Sequence, residues 1–204
     1  MYIPDIYKNE NQEEIENFLH ENGFGILVNT TDKKPWATHI PLLLEKNKLG
    51  KPILTGHISL LNPQAESLKN NQEVLVIFSG AHAYISSSWY DHENVPTWNY
   101  LAVHVYGKVT ILNHDDAVSS LKRLVDKYEK KSKNPVRVEE LSAKTMREAR
   151  GILAFEIEIS EIEAVKKMSQ NRDEKNYNNI ISELEKTTTT DAVAVANVMK
   201  KCPR

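Results

Sequence analysis

The ten residues at 151–160, GILAFEIEIS, form the clearest secondary-structure pattern in the chain, because apolar and polar residues alternate through them. Alternation with a period of two separates the side chains onto the two faces of a β-strand, so this segment is predicted to be a strand with one buried face. Shorter β-rich runs predict further strands at residues 24–31, 36–45, 52–58, 73–79, 83–86 and 100–113.

Helical patterns occur between and after these strand runs. The most regular one, at residues 115–131, carries an apolar stripe of Leu121, Leu124, Val125 and Tyr128. Others are predicted at residues 11–22, 62–70, 142–150, 174–186 and 190–201. Because strands and helices do not alternate strictly, the order differs from that of a parallel sheet. It predicts an α+β fold in which helices decorate an antiparallel barrel or sandwich.

The composition is that of an ordinary globular protein. A chain of 204 residues can bury one sizeable core, either as one domain with an appendage or as two small domains. The single cysteine, Cys202, excludes an intrachain disulfide. The N-terminus lacks the pattern of a signal peptide, and no apolar run approaches the roughly 20 residues that span a membrane. We therefore expect a soluble, cytoplasmic protein with no membrane partner.

Aromatic residues and histidines are concentrated at residues 79–107, which include two of the three tryptophans. Flat rings with polar groups suit a planar, partly polar heterocycle, whereas a plain core does not need the histidines and serines beside them. A subunit interface, where Trp and Tyr are also enriched, explains the same composition. The residues alone leave a ligand site and a packed interface equally open.

Two further blocks are unusually polar. Residues 55–64, TGHISLLNPQ, place a histidine on a strand end before a helix start, where unpaired backbone N–H groups suit an anion. The alternative is that His57 is an ordinary strand histidine and Asn62 only a helix cap. Residues 166–172, KKMSQNR, offer amide, hydroxyl and guanidinium groups in a row, although a solvated loop has the same composition.

The sequence contains none of the common nucleotide-loop, nucleophile-elbow or zinc-protease motifs, and its histidines lack metal-type pairing with cysteine. It therefore predicts no metal site and assigns no catalytic residue. Whether the protein is an enzyme stays open at this point.

At these blocks the chain resembles the PaiB-like family, also described as FMN-binding negative transcriptional regulators. The matching motifs are Met-Tyr-x-Pro at residues 1–4, Ala-Thr-His-x-Pro at 37–41, Gly-His-x-x-x-x-Asn-Pro-Gln at 56–64, His-Ala-Tyr-Ile-Ser at 82–86, Ser-Trp-Tyr at 88–90, Val-Pro-Thr-Trp-Asn-Tyr at 95–100 and Lys-x-Ser-Gln-Asn-Arg at 167–172. Each motif is short, but together they span nearly the whole chain in the same order.

The resemblance implies a split β-barrel of the pyridoxamine-phosphate-oxidase-like, FMN-binding type, and a homodimer with FMN at the subunit interface. It also implies an association with repression of protease synthesis and sporulation. We predict a split-barrel domain at residues 1–172 and a C-terminal helical extension at residues 173–204, packed on the same domain. The predicted FMN-binding residues are His57, Ser59, Asn62 and Gln64 for the phosphate or ribityl end, Trp89, Tyr90, Trp98 and Asn99 beside the ring, and Gln170, Asn171 and Arg172 closing the site. His39 is also predicted to bind the cofactor, without assignment to one end.

The chain departs from the family pattern at residues 59–61, where Ser-Leu-Leu stands in place of a common Ala-Arg-Ala. That arginine would be a natural phosphate clamp, so its role is expected to pass to Arg172, Lys69 or the helix start at Asn62. Two rival functions stay open, a flavin-dependent oxidoreductase that uses a nicotinamide and a haem-binding or haem-handling split barrel. DNA is a further possible partner: no helix-turn-helix is visible, but the lysine-rich residues 127–133 could touch phosphates.

Overall fold

The computed structural model describes residues 1–70 and 72–202. Within these residues the strands are β1 (Phe24–Thr31), β2 (Lys34–Pro41), β3 (Leu43–Lys46), β4 (Pro52–Ser59), β5 (Glu73–Ile85), β6 (Thr97–Ile111) and β7 (Ile152–Lys167). The α-helices are α1 (Gln12–Glu21), α2 (Gln64–Leu68), α3 (His114–Glu129), α4 (Ala143–Met146), α5 (Glu174–Glu185) and α6 (Thr190–Lys201). Short 3-10 helices lie at Asp5–Tyr7, Ser87–Trp89, Val138–Glu140 and Arg147–Gly151.

The strands form one sheet in the order β2-β1-β5-β6-β7-β4-β3. β1 pairs antiparallel with β2 and with β5, and β4 pairs antiparallel with β3 and with β7. The alternation in β7 has the predicted effect, since Phe155 and Ile157 are fully buried while Glu158 is exposed. The predicted α+β fold, an antiparallel sheet decorated by helices, is confirmed.

Two strand boundaries differ from the sequence prediction. β5 continues without a break where two strands were predicted. At the junction of the two predicted strands, the ring of Phe18 packs where a side chain at Gly80 would stand. The predicted strand at residues 36–45 is two strands, β2 and β3. They separate at Leu42, whose backbone N–H donates to the Gly23 carbonyl at 2.7 Å.

The contacts within the chain divide it into two compact units. The first unit comprises Met1–Phe18, Ser79–His104 and the chain from Glu163 onward, and the second comprises Leu19–Phe78 and Val105–Ile162. The predicted division into residues 1–172 and 173–204 follows the chain order instead and stays a prediction.

The core of the first unit is built around the pair α5 and α6. Their buried residues recur at helical spacing, which gives each helix one apolar face. These residues are Tyr177, Ile180, Ile181 and Leu184 on α5 and Ala192, Val195, Ala196 and Met199 on α6. The same core includes Ala83 and Ile85 of β5. The C-terminal helices are therefore part of a packed core.

The second unit contains residues of all seven strands and the helices α2, α3 and α4. Its largest fully buried side chains include Leu27, Phe78 and Phe155, from β1, β5 and β7. Across the described residues 1–70 and 72–202, the helices are too short or too polar to cross a membrane.

Candidate functional site

An exposed group of aromatic rings lies on β5 and β6 in the first unit. Because Ala83 and Ile85 point into the core, the alternation of β5 turns His82 and Tyr84 to the opposite face. The ring of Trp98 on β6 stacks with His82 at 5.8 Å between centroids and meets Tyr84 edge-on at 5.9 Å. Trp98 is 46% exposed and Tyr84 is 50% exposed. We call His82, Tyr84 and Trp98 the aromatic face.

Two other predicted ring contacts, Trp89 and Tyr90, take inward positions. The 3-10 helix Ser87–Trp89 is capped by Ser86, whose Oγ accepts a hydrogen bond from the Ser88 N–H at 3.2 Å. Tyr90 follows this turn into the core of the first unit, where it is only 8% exposed, and Trp89 packs against the same core. Contact of these two rings with a cofactor stays a prediction.

Asn99, also predicted beside the ring, is fully buried in the first unit. Its Oδ1 accepts a hydrogen bond from Ser169 Oγ at 3.0 Å, and its Nδ2 lies 3.6 Å from Met199 Sδ. Ser169 has a φ of 57°, in the left-handed region that non-glycine residues seldom adopt. The amide of Asn99 therefore fastens the 166–172 block to the start of β6.

Within the same block, Gln170 bonds to its own loop. Its Oε1 accepts from the Met168 N–H at 2.7 Å, and its Nε2 donates to the Lys166 carbonyl. Asn171 is exposed. The structure thus gives Gln170 a role in shaping the loop and leaves Asn171 on the surface, and cofactor binding by either residue stays a prediction.

Two half-buried cations flank this loop. The guanidinium carbon of Arg172 lies 4.9 Å from the centre of the Tyr90 ring. Within residues 1–70 and 72–202, Arg172 Nε and the Tyr90 hydroxyl are buried without a hydrogen-bond partner. Lys167 Nζ donates to Thr97 Oγ1 at 2.7 Å, and burial lowers the pKa of this lysine, with a further lowering by the charge of Arg172.

In the second unit, the predicted residues Asn62 and Gln64 belong to a buried hydrogen-bond network. Thr38 Oγ1 donates to Gln64 Oε1 at 2.6 Å and lies 2.9 Å from Asn62 Nδ2, which donates to it. Gln64 Nε2 donates to Asn29 Oδ1 at 2.9 Å and to the Leu27 carbonyl at 3.3 Å. Gln64 is fully buried, so both ends of its amide fasten α2 to β1 and β2. Cofactor contact by these two residues stays a prediction.

The remaining predicted residues of the second unit lie on β2 and β4. His57 is half-buried, and this burial lowers the pKa of its imidazole, which favours the neutral ring. Ser59 is exposed at the end of β4, and its Oγ accepts from the Leu61 N–H at 3.1 Å. His39 is exposed on β2, with its ring 6.2 Å from that of Phe24.

The structure separates the three candidates for a phosphate clamp. Lys69 is paired with Glu66 at 2.8 Å on the surface. At Asn62, the side-chain Oδ1 already accepts from the Gln64 N–H, and α2 is only five residues long. Arg172 forms no ion pair within residues 1–70 and 72–202. It is therefore the candidate whose charge is left uncompensated by the protein.

The sequence prediction omitted three residues that the structure places among the candidate groups. Thr38 and Lys167 stood inside the quoted motifs but were not selected, since neither residue type indicates a ligand by itself. Asn29 is a buried amide within β1, and its only sequence signal is a polar residue at a strand position that alternation assigns to the core. In the part of the chain that the structure describes, no group of three or more metal-ligating side chains comes together.

This architecture defines the class of protein, a split β-barrel of the type found in flavin-binding proteins. The fold matches the flavocytochrome Anf3 of Azotobacter vinelandii with a TM-score of 0.64 at 16% identity, covering 87% of this chain and 78% of that one. It matches the FAD and haem binding protein of Mycobacterium smegmatis with a TM-score of 0.63 at 18% identity, covering 84% and 78%. At such identities the likeness establishes the fold.

Sequence relationships identify the family within this class. A family model described as "Putative FMN-binding domain" matches residues 1–161. The chain is 46% identical over 201 residues to the protease synthase and sporulation protein PAI 2 of Bacillus subtilis, covering 98% of this chain and 97% of that protein. The chain therefore belongs to the FMN-binding domain family, and its predicted PaiB-like membership is confirmed.

Proposed function

We propose that this protein binds FMN and places the flavin ring against the aromatic face. The observation that carries the proposal is the exposed indole of Trp98, held between His82 and Tyr84. An exposed, preassembled group of rings offers a flat surface on which a planar heterocycle can stack. The match of residues 1–161 to a family of FMN-binding domains supports FMN as the flavin.

Two separate groups of residues match the two ends of this cofactor in chemical character. The ring end is matched by the aromatic face, and a phosphate is matched by Lys167 and Arg172, which lack a carboxylate partner in the described chain. FMN supplies redox chemistry when bound, and the protein has to bind it, orient it and limit its contact with water. The described residues assign no side chain as a catalytic acid or base.

Flavin binding is tested by stripping the protein of flavin and titrating FMN while recording visible absorbance and tryptophan fluorescence. We expect binding at micromolar FMN, and a Trp98→Ala variant is expected to weaken it about tenfold, since base-like rings stacked on aromatics contribute roughly 1–3 kcal/mol. Tyr128→Ala, at an exposed aromatic position on α3, is the matched control. Absence of flavin bands and of binding at micromolar FMN would refute the proposal.

We further propose a homodimer with FMN at the subunit interface. The support is the same aromatic face together with Val95, which is 69% exposed, because exposed aromatic patches are typical of interfaces. Light scattering after gel filtration should give twice the mass of the chain. Trp98→Glu should reduce the mass to that of one chain, whereas the Glu substitution at Tyr128 should not.

A regulatory role through DNA has separate support in the charge distribution. Residues 122–150 carry ten lysines and arginines and five acidic residues. The whole chain, by contrast, has 26 lysines and arginines and 28 acidic residues. Lys144, Arg147 and Arg150 are exposed and three residues apart across α4 and the 3-10 helix Arg147–Gly151. Because a 3-10 helix has three residues per turn, this spacing aligns Arg147 with Arg150, and Lys144 lies about one turn earlier in α4. We call these three residues the basic ridge.

A mobility-shift assay over a salt series tests this regulatory candidate. Replacing Lys144, Arg147 and Arg150 together by glutamine should weaken binding to all sequences and lower the slope of log affinity against log salt by about 2 to 3. Glutamine at Lys51, Lys69 and Lys186, which pair with acidic side chains, is the charge-matched control. If the intact protein binds no sequence at physiological salt, regulation does not proceed through the basic ridge.

A further inference from the structure

Three carboxylates around the 166–172 block have partners other than Lys167 and Arg172. Lys166 pairs with Glu14 at 2.6 Å. Lys175 pairs with Asp91 at 2.8 Å. Asp173 caps α5 through hydrogen bonds from Asn176. None of these three carboxylates forms an ion pair with Lys167 or Arg172.

Arg172 is held in place by stacking, which fixes its position without satisfying its donors. Its guanidinium carbon lies 4.9 Å from the centre of the Tyr90 ring, and Tyr90 itself is 92% buried. Arg172 Nε and the Tyr90 hydroxyl are both buried and unpartnered within residues 1–70 and 72–202. Buried polar groups are normally hydrogen-bonded, so two orphans on neighbouring side chains indicate a position that a ligand oxygen completes.

Lys167 is also positioned with spare donor capacity. Its Nζ donates to Thr97 Oγ1 at 2.7 Å and lies 5.8 Å from the centre of the Tyr7 ring. An ammonium has three donors, so this single hydrogen bond leaves two. Burial and the charge of Arg172 both lower the pKa of Lys167, and an anion between the two cations would oppose both effects.

We propose that Lys167, Arg172 and Tyr90 form a binding site for a phosphate monoester. The ligand class follows from the charges, since a phosphate monoester carries about −1.5 to −2 and matches two cations better than a single carboxylate does. The guanidinium and the ammonium supply charge-assisted donors, and the Tyr90 hydroxyl supplies a neutral one. Where the phosphate is that of FMN, the inference rests on the proposed function; a separate phosphorylated molecule would use the same groups.

Flavin-stripped protein tests the site with three probes: FMN, riboflavin and inorganic phosphate. FMN and riboflavin differ only by the phosphate, so the ratio of their dissociation constants isolates its contribution. We expect the wild type to prefer FMN, and Lys167→Gln or Arg172→Gln to reduce that preference about tenfold or more with riboflavin affinity unchanged. Inorganic phosphate should raise the melting temperature of the wild type more than chloride at equal ionic strength.

Lys166→Gln and Lys175→Gln are the controls, since both remove a neighbouring lysine that is paired with a carboxylate. Arg172→Lys keeps the charge and tests the site if Arg172→Gln fails to fold.

In another outcome, the Lys167 and Arg172 variants lose the rise in melting temperature with inorganic phosphate, but their ratio of FMN and riboflavin dissociation constants is unchanged. This result supports the site for a separate phosphorylated ligand. If neither flavin binds, the proposed function fails and the phosphate response alone decides the site. The proposed site is overturned by two results together. Phosphate does not raise the melting temperature of the wild type, and the ratio of the FMN and riboflavin dissociation constants is the same in the wild type and in the Lys167 and Arg172 variants.

Discussion

Ser169 Oγ donates a hydrogen bond to Asn99 Oδ1 at 3.0 Å, although 70 residues separate the two in the chain. Both side chains are buried, and Ser169 holds a left-handed φ of 57° to make the contact. Glycine would adopt this backbone without strain but has no hydroxyl to donate. The contact therefore joins two of the predicted functional blocks at the expense of local backbone strain.

Ser169→Ala should lower the free energy of unfolding by about 1–3 kcal/mol, because it leaves the buried Asn99 oxygen without its donor. Ser169→Gly should lower it less, since the lost hydrogen bond is partly offset by relief of the backbone strain. Urea denaturation measures both. Ser88→Ala, at an exposed position, is the control, and equal stability of Ser169→Ala and wild type would contradict the assigned role.

Gln64→Ala tests whether the buried amide network is structural. The substitution leaves Thr38 and Asn29 without the partners that lie 2.6 and 2.9 Å away, so we expect a loss of about 3 kcal/mol in the free energy of unfolding. FMN affinity, measured well below the melting temperature, should stay within twofold of wild type. Gln12→Ala, on the exposed side of α1, is the control. Weakened FMN binding at unchanged stability would instead make Gln64 a cofactor contact.

The sequence predicted elements whose signal is local. α6 was predicted at residues 190–201 and β7 from its alternation, because each pattern is contained in the segment itself. The continuity of β5 escaped prediction, because Gly80 interrupts the strand pattern in the sequence, whereas in the structure the strand runs through it with the ring of Phe18 packed close to it. The sequence also did not predict which aromatic side chains of residues 79–107 are buried and which are exposed. Tyr90 is buried and Trp98 exposed because of the turn at Ser87–Trp89 and the register of β6, neither of which composition reveals.

Gly107→Ala should be strongly destabilising. A side-chain carbon at this position on β6 would lie 2.3 Å from the Glu158 carbonyl oxygen and 2.6 Å from a methyl group of Ile157, and the backbone of β7 would have to move. We expect a loss of about 3 kcal/mol in the free energy of unfolding, measured by urea denaturation. Gly151→Ala is the matched control, since no atom lies within 4 Å of its added carbon. Equal effects of the two substitutions would contradict the close approach.

Stability should fall as the pH drops below about 6.5 because of two half-buried histidines. Burial lowers the pKa of His57 and of His104, whereas the unfolded chain titrates its histidines near 6.5. As the pH falls below that value, the unfolded state binds more protons than the folded state, so the free energy of unfolding decreases. The stabilisation is complete above about pH 6.5 and is lost as the pH falls through the folded-state values. Urea midpoints of flavin-free protein between about pH 7.5 and pH 5.5 measure it.

The variant His57→Gln/His104→Gln should flatten that dependence, because it removes both groups whose proton uptake differs between the two states. His20→Gln, at an exposed position on α1, serves as the control. The comparison uses the slope of the free energy against pH, which the loss of packing in the double variant does not alter. A slope equal to that of wild type would mean that other groups cause the acid sensitivity, and would remove the argument that the neutral imidazole of His57 is the form built into β4.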